Sequence, residues 1–171
     1  MKVFIGDYTL DVDRVVDIEL DPSDTWSMDQ TLSHIIAPML KQLKENTHGA
    51  PDVDDEDVPD NLKSTSAPPF EEAITDENYF PRWDWVLDEM IWTFETLASD
   101  DWEDQFHTGE HDIVWVSIDA DGTETPDGKY RRMDKGPNDT HVFDKEGWEA
   151  CNQRIDNGTR LLGKYFRGLW D

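Results

Sequence analysis

A short basic stretch in the last third of the chain has the residue types that bind phosphate groups. It contains Tyr130, Arg131, Arg132 and Lys135 within eight residues. Arginine makes bidentate hydrogen bonds to phosphate, and a tyrosine ring stacks on a base. The stretch therefore predicts a site for an anionic ligand. The same pattern is equally typical of an edge strand that charged side chains protect from aggregation.

Two tryptophans on a predicted helix supply further candidate ligand contacts. This helix starts near Pro81 and carries Trp85 and Trp92 on one face. Another face carries a purely apolar set: Trp83, Val86, Leu87, Met90, Ile91, Phe94 and Leu97. A helix with two such faces is either central in the core or bears a binding surface. We expect central packing, and we assign Trp85 and Trp92 as the aromatic part of the anion site.

Two patterns resemble metal sites in loops. His107-Thr108-Gly109-Glu110-His111 has the spacing of some zinc peptidases. That chemistry needs both histidines on one helical face, and Gly109 interrupts such a helix. Asp119–Gly122 resembles part of a calcium loop, but the full loop would lack ligands at its first and last positions. A hairpin turn is the better interpretation there.

A third metal pattern is a stripe of carboxylates on the second helix, Asp84, Asp88 and Glu95. Paired carboxylates hold Mg²⁺ together with a nucleotide in some helical hydrolases. Such enzymes need further acids on a facing helix, and the first predicted helix offers none on its apolar face. We therefore assign no catalytic residue, no metal ligand and no cofactor, and we expect a protein that is not an enzyme.

Charge is distributed unevenly along the 171 residues. The chain has 40 acidic and 15 basic residues and a formal net charge of −25. Residues 1–128 hold 33 acids and 6 bases, whereas residues 129–171 hold 7 acids and 9 bases. The first part should repel nucleic acid, membranes and free anions. An anion is expected to dock only in the last quarter of the chain, unless those bases pair with acidic neighbours instead.

The remaining composition indicates a reducing compartment. Cys151 is the only cysteine, so no internal disulfide forms. The first residues lack the features of a signal peptide. No apolar run approaches the roughly 20 residues that span a bilayer. We expect a cytoplasmic protein that binds neither membranes nor nucleic acid directly.

The elements that must position these residues follow from periodicity. Strands are predicted at Lys2–Tyr8, Arg14–Leu20, Ile113–Asp119, Lys129–Met133 and Thr140–Phe143. Helices are predicted from Ser27, from Pro81 and from Asp144. This pattern predicts an α+β fold, with three main helices packed on a small antiparallel sheet. We expect a single domain over residues 1–171, in which residues 46–78 form a solvated, acidic, proline-containing loop.

Several segments spread along most of the chain together carry a family resemblance: 24–32, 38–51, 53–59, 82–92, 135–139 and 163–171. Among them are Asp24-Thr25-Trp26-Ser27-Met28-Asp29-Gln30 and Arg82-Trp83-Asp84-Trp85-Val86-Leu87-Asp88-Glu89-Met90. In these segments the chain resembles a family of small uncharacterised proteins from tailed bacteriophages, especially marine ones. The resemblance implies a phage protein in the cytoplasm of its host. It implies no activity and no site residue.

Three functions remain open. The first is a non-enzymatic counter-defence protein that sequesters an anionic nucleotide immune signal with Arg131, Arg132, Lys135, Tyr130, Trp85 and Trp92. A homo-oligomer would favour this function, because shared pockets enclose a ligand more completely. The second is an inhibitor that binds a host protein, such as an immune protein, with its acids in place of DNA phosphates. The third is a metal-dependent nucleotide hydrolase.

Overall fold

Three α-helices and six strands form in the part of the chain that the structure describes. The computed structural model describes residues 1–7, 12–67 and 75–170. The helices are α1 (Met28–Asn46), α2 (Tyr79–Ala98) and α3 (Lys145–Tyr165). The strands are β1 (Lys2–Ile5), β2 (Val16–Glu19), β3 (His107–Thr108), β4 (Ile113–Ile118), β5 (Tyr130–Lys135) and β6 (Val142–Phe143). The predicted α+β class is confirmed.

The strands pair as three antiparallel ladders of two strands each within the described residues, β1 with β2, β3 with β6 and β4 with β5. They do not join into the one small sheet that the sequence suggests. In the first ladder Val3 lies opposite Ile18, and Lys2 lies opposite Glu19 with a 2.8 Å ion pair between them. Tyr8, the last residue of the first predicted strand, and residues 9–11 after it lie outside the described part of the chain.

The chain divides into two compact units. The first comprises Met1–Asp100 and Arg154–Asp171, and it contains α1, α2 and the C-terminal part of α3. The second comprises Asp101–Gln153 and contains the β3–β6 and β4–β5 ladders. The single domain over residues 1–171 stays a prediction. Among the described helices, none is long and apolar enough to cross a membrane.

Helix α2 supplies the centre of the first unit. Its apolar face has no accessible surface at Val86, Leu87 and Met90, and almost none at Trp83. The rest of the core comes from α1, α3 and the segment between α1 and α2: Ala37, Leu40, Leu161, Tyr165, Val53 and Val58. Burying side chains of this size stabilises the fold by roughly 1.5–3 kcal/mol each. The expected central packing of α2 is confirmed.

Helix α1 lies against α2 through two small side chains and a leucine, and Ile36 and Leu43 of its apolar stripe are partly buried beside them. Ser33, Ala37 and Leu40 are its buried residues, and they recur at helical spacing. Met28 and Met39 belong to the apolar stripe, yet both remain exposed. The small residues allow close approach to α2. As a consequence, α1 keeps an exposed apolar surface, which includes Met28 and Met39, that no described residue covers fully.

Helix α3 approaches α2 closely at a glycine. Gly158 is buried, and a Cβ atom there would overlap Thr93 Oγ1 and lie 2.7 Å from Thr93 Cβ. Thr93 itself has no accessible surface. One turn further on, Gly163 has open space where its Cβ atom would be. Gly158 therefore allows tight packing, whereas Gly163 only lowers the helical propensity of α3.

These two glycines give a matched pair of substitutions. We expect Gly158→Ala to destabilise the protein by about 1–3 kcal/mol, because overpacking outweighs the gain in helix propensity. We expect Gly163→Ala to stabilise it by about 0.5–1 kcal/mol. Urea unfolding followed by tryptophan fluorescence measures both. Equal effects of the two substitutions would contradict the close contact between α2 and α3.

Candidate functional site

The predicted basic site lies on one strand. Tyr130, Arg131, Arg132 and Lys135 all belong to β5, which pairs with β4 so that Arg132 lies opposite Val116. Alternation along the strand separates Tyr130 and Arg132 from Arg131 and Lys135, which lie on the opposite face. Each of the four residues is exposed. The four residues are therefore neighbours along one strand, but their side chains lie on opposite faces and do not converge on one ligand site.

Two of these basic side chains already form ion pairs with carboxylates. Arg132 donates to both oxygens of Asp134 at 2.7 Å and to Glu124 at 2.5 Å. The hydrogen bonds to Asp134, and then those to Glu124, raise the pKa of Arg132 above its usual range. Lys135 lies 3.3 Å from Asp139. An incoming anion would have to displace these partners, so the geometry favours the edge-strand interpretation of the stretch.

The two predicted tryptophans lie in the other compact unit. Trp85 is half-buried and packs against the core. The guanidinium of Arg154 lies 3.8 Å from the ring centroid of Trp92 and donates two hydrogen bonds to Glu89, at 2.7 and 2.9 Å. Both rings thus already have partners within the first unit. Their assignment to a nucleotide site stays a prediction.

The carboxylate stripe on α2 has lysine partners on α1. Lys44 pairs with Asp88, and Lys41 pairs with Glu95. These pairs lie about one turn apart on α1 and about two turns apart on α2, and both connect the two helices. Two of the three acids that could hold Mg²⁺ are therefore engaged in ion pairs.

The histidine pattern does not form the helix of a zinc peptidase. His107 lies on β3, and Gly109 has a left-handed backbone with φ of 75°. A Cβ atom at Gly109 would overlap the carbonyl oxygen of Thr140. The turn therefore requires glycine, and the two histidines do not share a helical face.

The most unusual side chain is a buried carboxylate in the acidic loop. The side chain of Asp57 is 1% exposed. Arg160 and Lys164 of α3 lie 2.6 Å from its two oxygens, and the hydroxyl of Tyr165 donates a 2.6 Å hydrogen bond to it. The same hydroxyl accepts a 3.0 Å hydrogen bond from the backbone N–H of Asp54. We call these four residues, Asp57, Arg160, Lys164 and Tyr165, the Asp57 clamp.

The clamp corrects the expectation of a solvated acidic loop. The described part of the loop contains three short 3₁₀ turns: Asp55–Asp57, Asp60–Leu62 and Ser64–Ser66. Val53 and Val58 on either side of the first turn are buried in the core. The loop is ordered because its apolar residues reach the core while its buried acid reaches two cations.

Opposing effects act on the ionisation of the clamp. Burial raises the pKa of Asp57, but hydrogen bonds from Lys164, Tyr165 and Arg160 outweigh it, so the net shift is downward. Burial and the hydrogen bond to Asp57 raise the pKa of Tyr165 to about 12. Hydrogen bonds to Asp54, Asp57 and Glu56 raise the pKa of Lys164. The carboxylate is therefore ionised and the phenol neutral at pH 7.

Other acids of the loop remain at the surface. Asp54 and Glu56 lie 2.6 and 3.1 Å from the same Lys164 ammonium, yet their side chains are 63% and 77% exposed. The ammonium group of Lys164 is thus the common ion-pair partner of Asp54 and Glu56. Asp60 is almost fully exposed. We call Asp52, Asp54, Glu56 and Asp60 the acidic ridge, of which Asp54 and Glu56 contact the clamp through Lys164.

The first unit also has an apolar groove. It has a volume of about 300 Å³ and lies between α1 and the C-terminal end of the chain. Its lining is entirely apolar: Ile36, Met39, Leu40, Leu43, Leu162, Phe166 and Leu169. Leu162 and Phe166 flank Lys164 and Tyr165 in sequence, so the end of α3 carries both the clamp and one wall of the groove.

Comparison with protein-family models, curated proteins and solved structures finds no match for the chain.

Substitution of the buried acid should destabilise the first unit. We expect Asp57→Asn to cost about 1–3 kcal/mol of unfolding free energy, because Arg160 and Lys164 lose their charged partner. The matched control is Glu56→Gln, an exposed acid next to it, which should change stability by less than about 0.5 kcal/mol. Chemical unfolding measures both. A small effect of Asp57→Asn would mean that the clamp does not hold the loop.

The lowered pKa of Asp57 predicts the pH dependence of the same contribution. A carboxyl group whose folded-state pKa lies below its ordinary value of 3.8 stabilises the fold above that value and loses its contribution as pH falls through the folded pKa. The stability difference between the parent protein and Asp57→Asn should therefore be constant above about pH 5 and shrink towards zero in stronger acid. A difference that grows on acidification would contradict the sign.

Proposed function

We propose that the protein is a non-enzymatic binding protein whose acidic ridge occupies a basic, DNA-binding surface of a partner protein. Its carboxylates take the positions of DNA phosphates. The observation that carries the proposal is the Asp57 clamp, which holds exposed acids in a defined place. An apolar groove of the same unit adds a surface on which the partner's apolar side chains pack.

The distribution of charge supports a basic partner. Most basic side chains of the chain pair with a carboxylate inside it, as in Arg82–Asp76 at 2.8 Å and Arg154–Glu89 at 2.7 Å. With 40 acids against 15 bases, these pairs leave a large surplus of carboxylates at the surface. Such a surface repels nucleic acid and accelerates association with a positively charged protein.

Preorganisation supports the ridge as the contact surface. A flexible acidic loop would lose conformational entropy when it binds, which weakens affinity. The clamp and the buried Val53 and Val58 already restrict the backbone beneath Asp54 and Glu56. The entropy cost of ordering the ridge has therefore been met during folding.

The groove supports a protein partner rather than a small ion. Interfaces derive most of their binding energy from apolar anchors near the centre and selectivity from charges around them. Met39 and Phe166 at the rim of the groove are both exposed. The first unit thus carries both an apolar patch and the acidic ridge.

The resemblance to tailed-phage proteins suggests where the partner would be found. A phage protein of this kind would act on a DNA-binding or immune protein in the cytoplasm of a bacterial host. Sequestration of an anionic nucleotide remains the second prediction. It is weaker, because Arg132 and Lys135 are bound to carboxylates and only Arg131 of the three predicted cations has no carboxylate partner among the described residues.

Affinity capture from a bacterial lysate at about 150 mM salt tests the proposal, with duplex DNA as competitor. The ridge variant Asp54→Asn/Glu56→Gln/Asp60→Asn keeps Asp57. The control variant Glu103→Gln/Asp119→Asn/Asp127→Asn removes the same number of exposed charges from the second unit. We expect capture of DNA-binding proteins that duplex DNA releases, strong loss with the ridge variant and little change with the control.

Once a partner has been purified, calorimetry measures its affinity for this protein. We expect that affinity to fall steeply as the salt concentration increases. Capture that DNA does not compete for, or equal losses with the two variants, would contradict the proposal. Tight binding of a cyclic or linear nucleotide that Arg131→Ala abolishes would support nucleotide sequestration instead. Calorimetry with a nucleotide panel measures this alternative directly.

A further inference from the structure

Three of the five histidines of the chain come together in the second unit. His107 lies on β3 and pairs in register with Phe143 of β6. His141 immediately precedes β6, and His111 follows the turn at Gly109. The short β3–β6 ladder thus joins residues that are 34 positions apart in sequence.

The rings of His107 and His141 face each other through their nitrogens. His107 Nδ1 lies 2.8 Å from His141 Nε2. Their ring centroids are 5.1 Å apart and the ring planes differ by 25°. This spacing is that of two nearly coplanar rings meeting edge to edge, with both nitrogens directed into the gap between them. His111 lies on the face of His141, with centroids 3.8 Å apart.

Hydrogen bonds between two loops hold this arrangement. The backbone N–H of Thr140 donates to the carbonyl oxygen of Glu110 at 3.0 Å, and Thr140 Oγ1 accepts from the backbone N–H of Glu110 at 3.0 Å. Asp139, whose side chain is 4% exposed, accepts from the backbone N–H of Asp112 and lies 3.8 Å from His111 Nδ1. The histidines therefore project from a framework that is already formed.

We propose that His107 Nδ1 and His141 Nε2 bind a divalent transition-metal ion of the Zn²⁺ class, with His111 as a third ligand. Neutral imidazole is the usual protein ligand of Zn²⁺, Ni²⁺ and Cu²⁺. Without metal, the N–H of one ring donates a hydrogen bond to the unprotonated nitrogen of the other ring. When the ion binds, the donor ring changes tautomer, its proton moves to the nitrogen facing away, and both lone pairs reach the ion.

Binding requires the two rings to separate and to turn. Two nitrogens that each lie about 2.0–2.1 Å from a tetrahedral Zn²⁺ are roughly 3.3 Å apart, so the rings must separate by about half an ångström, and each must rotate so that its lone pair points at the ion rather than at the other ring. His111, whose side chain is 58% exposed, turns off the face of His141 to bring a ring nitrogen to the ion, and water completes the coordination. The nearer carboxylate oxygen of Asp139 lies 3.8 Å from His111 Nδ1, beyond hydrogen-bond distance. This site uses neither the helix nor the catalytic Glu of a zinc peptidase.

Calorimetry with Zn²⁺ and Ni²⁺ on the full chain tests the proposal. The variant His141→Phe keeps an aromatic ring under His111 but removes the ligand nitrogen. The matched control His34→Gln removes an exposed histidine of α1, outside the cluster. We expect one ion per chain, a loss of affinity of about tenfold or more in His141→Phe, and unchanged affinity in His34→Gln. Mg²⁺ should not compete, because it prefers oxygen ligands.

Nitrogen NMR of the parent protein keeps the test valid even where a variant fails to fold. Zn²⁺ should shift the side-chain nitrogens of His107 and His141 and leave those of His34 unchanged. Shifts confined to other residues, equal affinity in His141→Phe, or displacement by Mg²⁺ would overturn the proposal and assign any bound ion to surface carboxylates.

Discussion

The carboxylate of Asp57 ties the most acidic stretch of the chain to the basic face of α3. Taking a carboxylate out of water costs several kcal/mol, and it is tolerated only where charges and hydrogen bonds replace the water. Arg160, Lys164 and Tyr165 supply that replacement around both oxygens of Asp57. The contact also determines the course of the backbone, because the phenol that donates to Asp57 accepts from the N–H of Asp54.

Two uses of charge follow from this arrangement. Inside the first unit, basic side chains form ion pairs with acids at defined positions, as Lys41 of α1 does with Glu95 of α2. At the surface, the 40 acids of the chain outnumber its 15 bases, and the excess presents a negative potential. On the proposed function, this negative potential would select basic partners, and the exposed side chains of Met39 and Phe166 would add contact area. The histidine cluster of the second unit depends on neither feature, so the two proposals stand independently.

The helical framework could be predicted from periodicity, because Val86, Leu87 and Met90 repeat on one face and are fully buried together. The order of the acidic loop could not, since a run of acids with prolines has the composition of a solvated segment. Two signals were present: Val53 and Val58 flank the run, and Arg160 and Lys164 are four residues apart on α3. Sequence alone does not indicate that these pairs meet, because more than 100 residues separate them.

In the candidate sites too, contacts between residues close in sequence could be predicted, and contacts between distant residues could not. Arg132 and Asp134 are two residues apart on one strand, so their pairing follows from alternation. The contact of Arg132 with Glu124 depends on how the chain returns after β4, and local spacing does not reveal it. His141 was missed for a similar reason. A ladder of only two residue pairs leaves no alternating pattern to identify, although His107 and His111 stood out by their spacing.

Amide hydrogen exchange at neutral pH tests the central claim most directly. The backbone N–H of Asp54, bonded to Tyr165, and that of Asp57, bonded at 3.0 Å to the carbonyl of Asp54, report on the clamp. We predict that both amides exchange slowly, with protection approaching that of Leu87 in the core, and that Asp57→Asn removes this protection while Leu87 stays protected. Exchange of Asp54 and Asp57 at the rate of an unstructured chain in the parent protein would show that the acidic segment is solvated and that the clamp does not form.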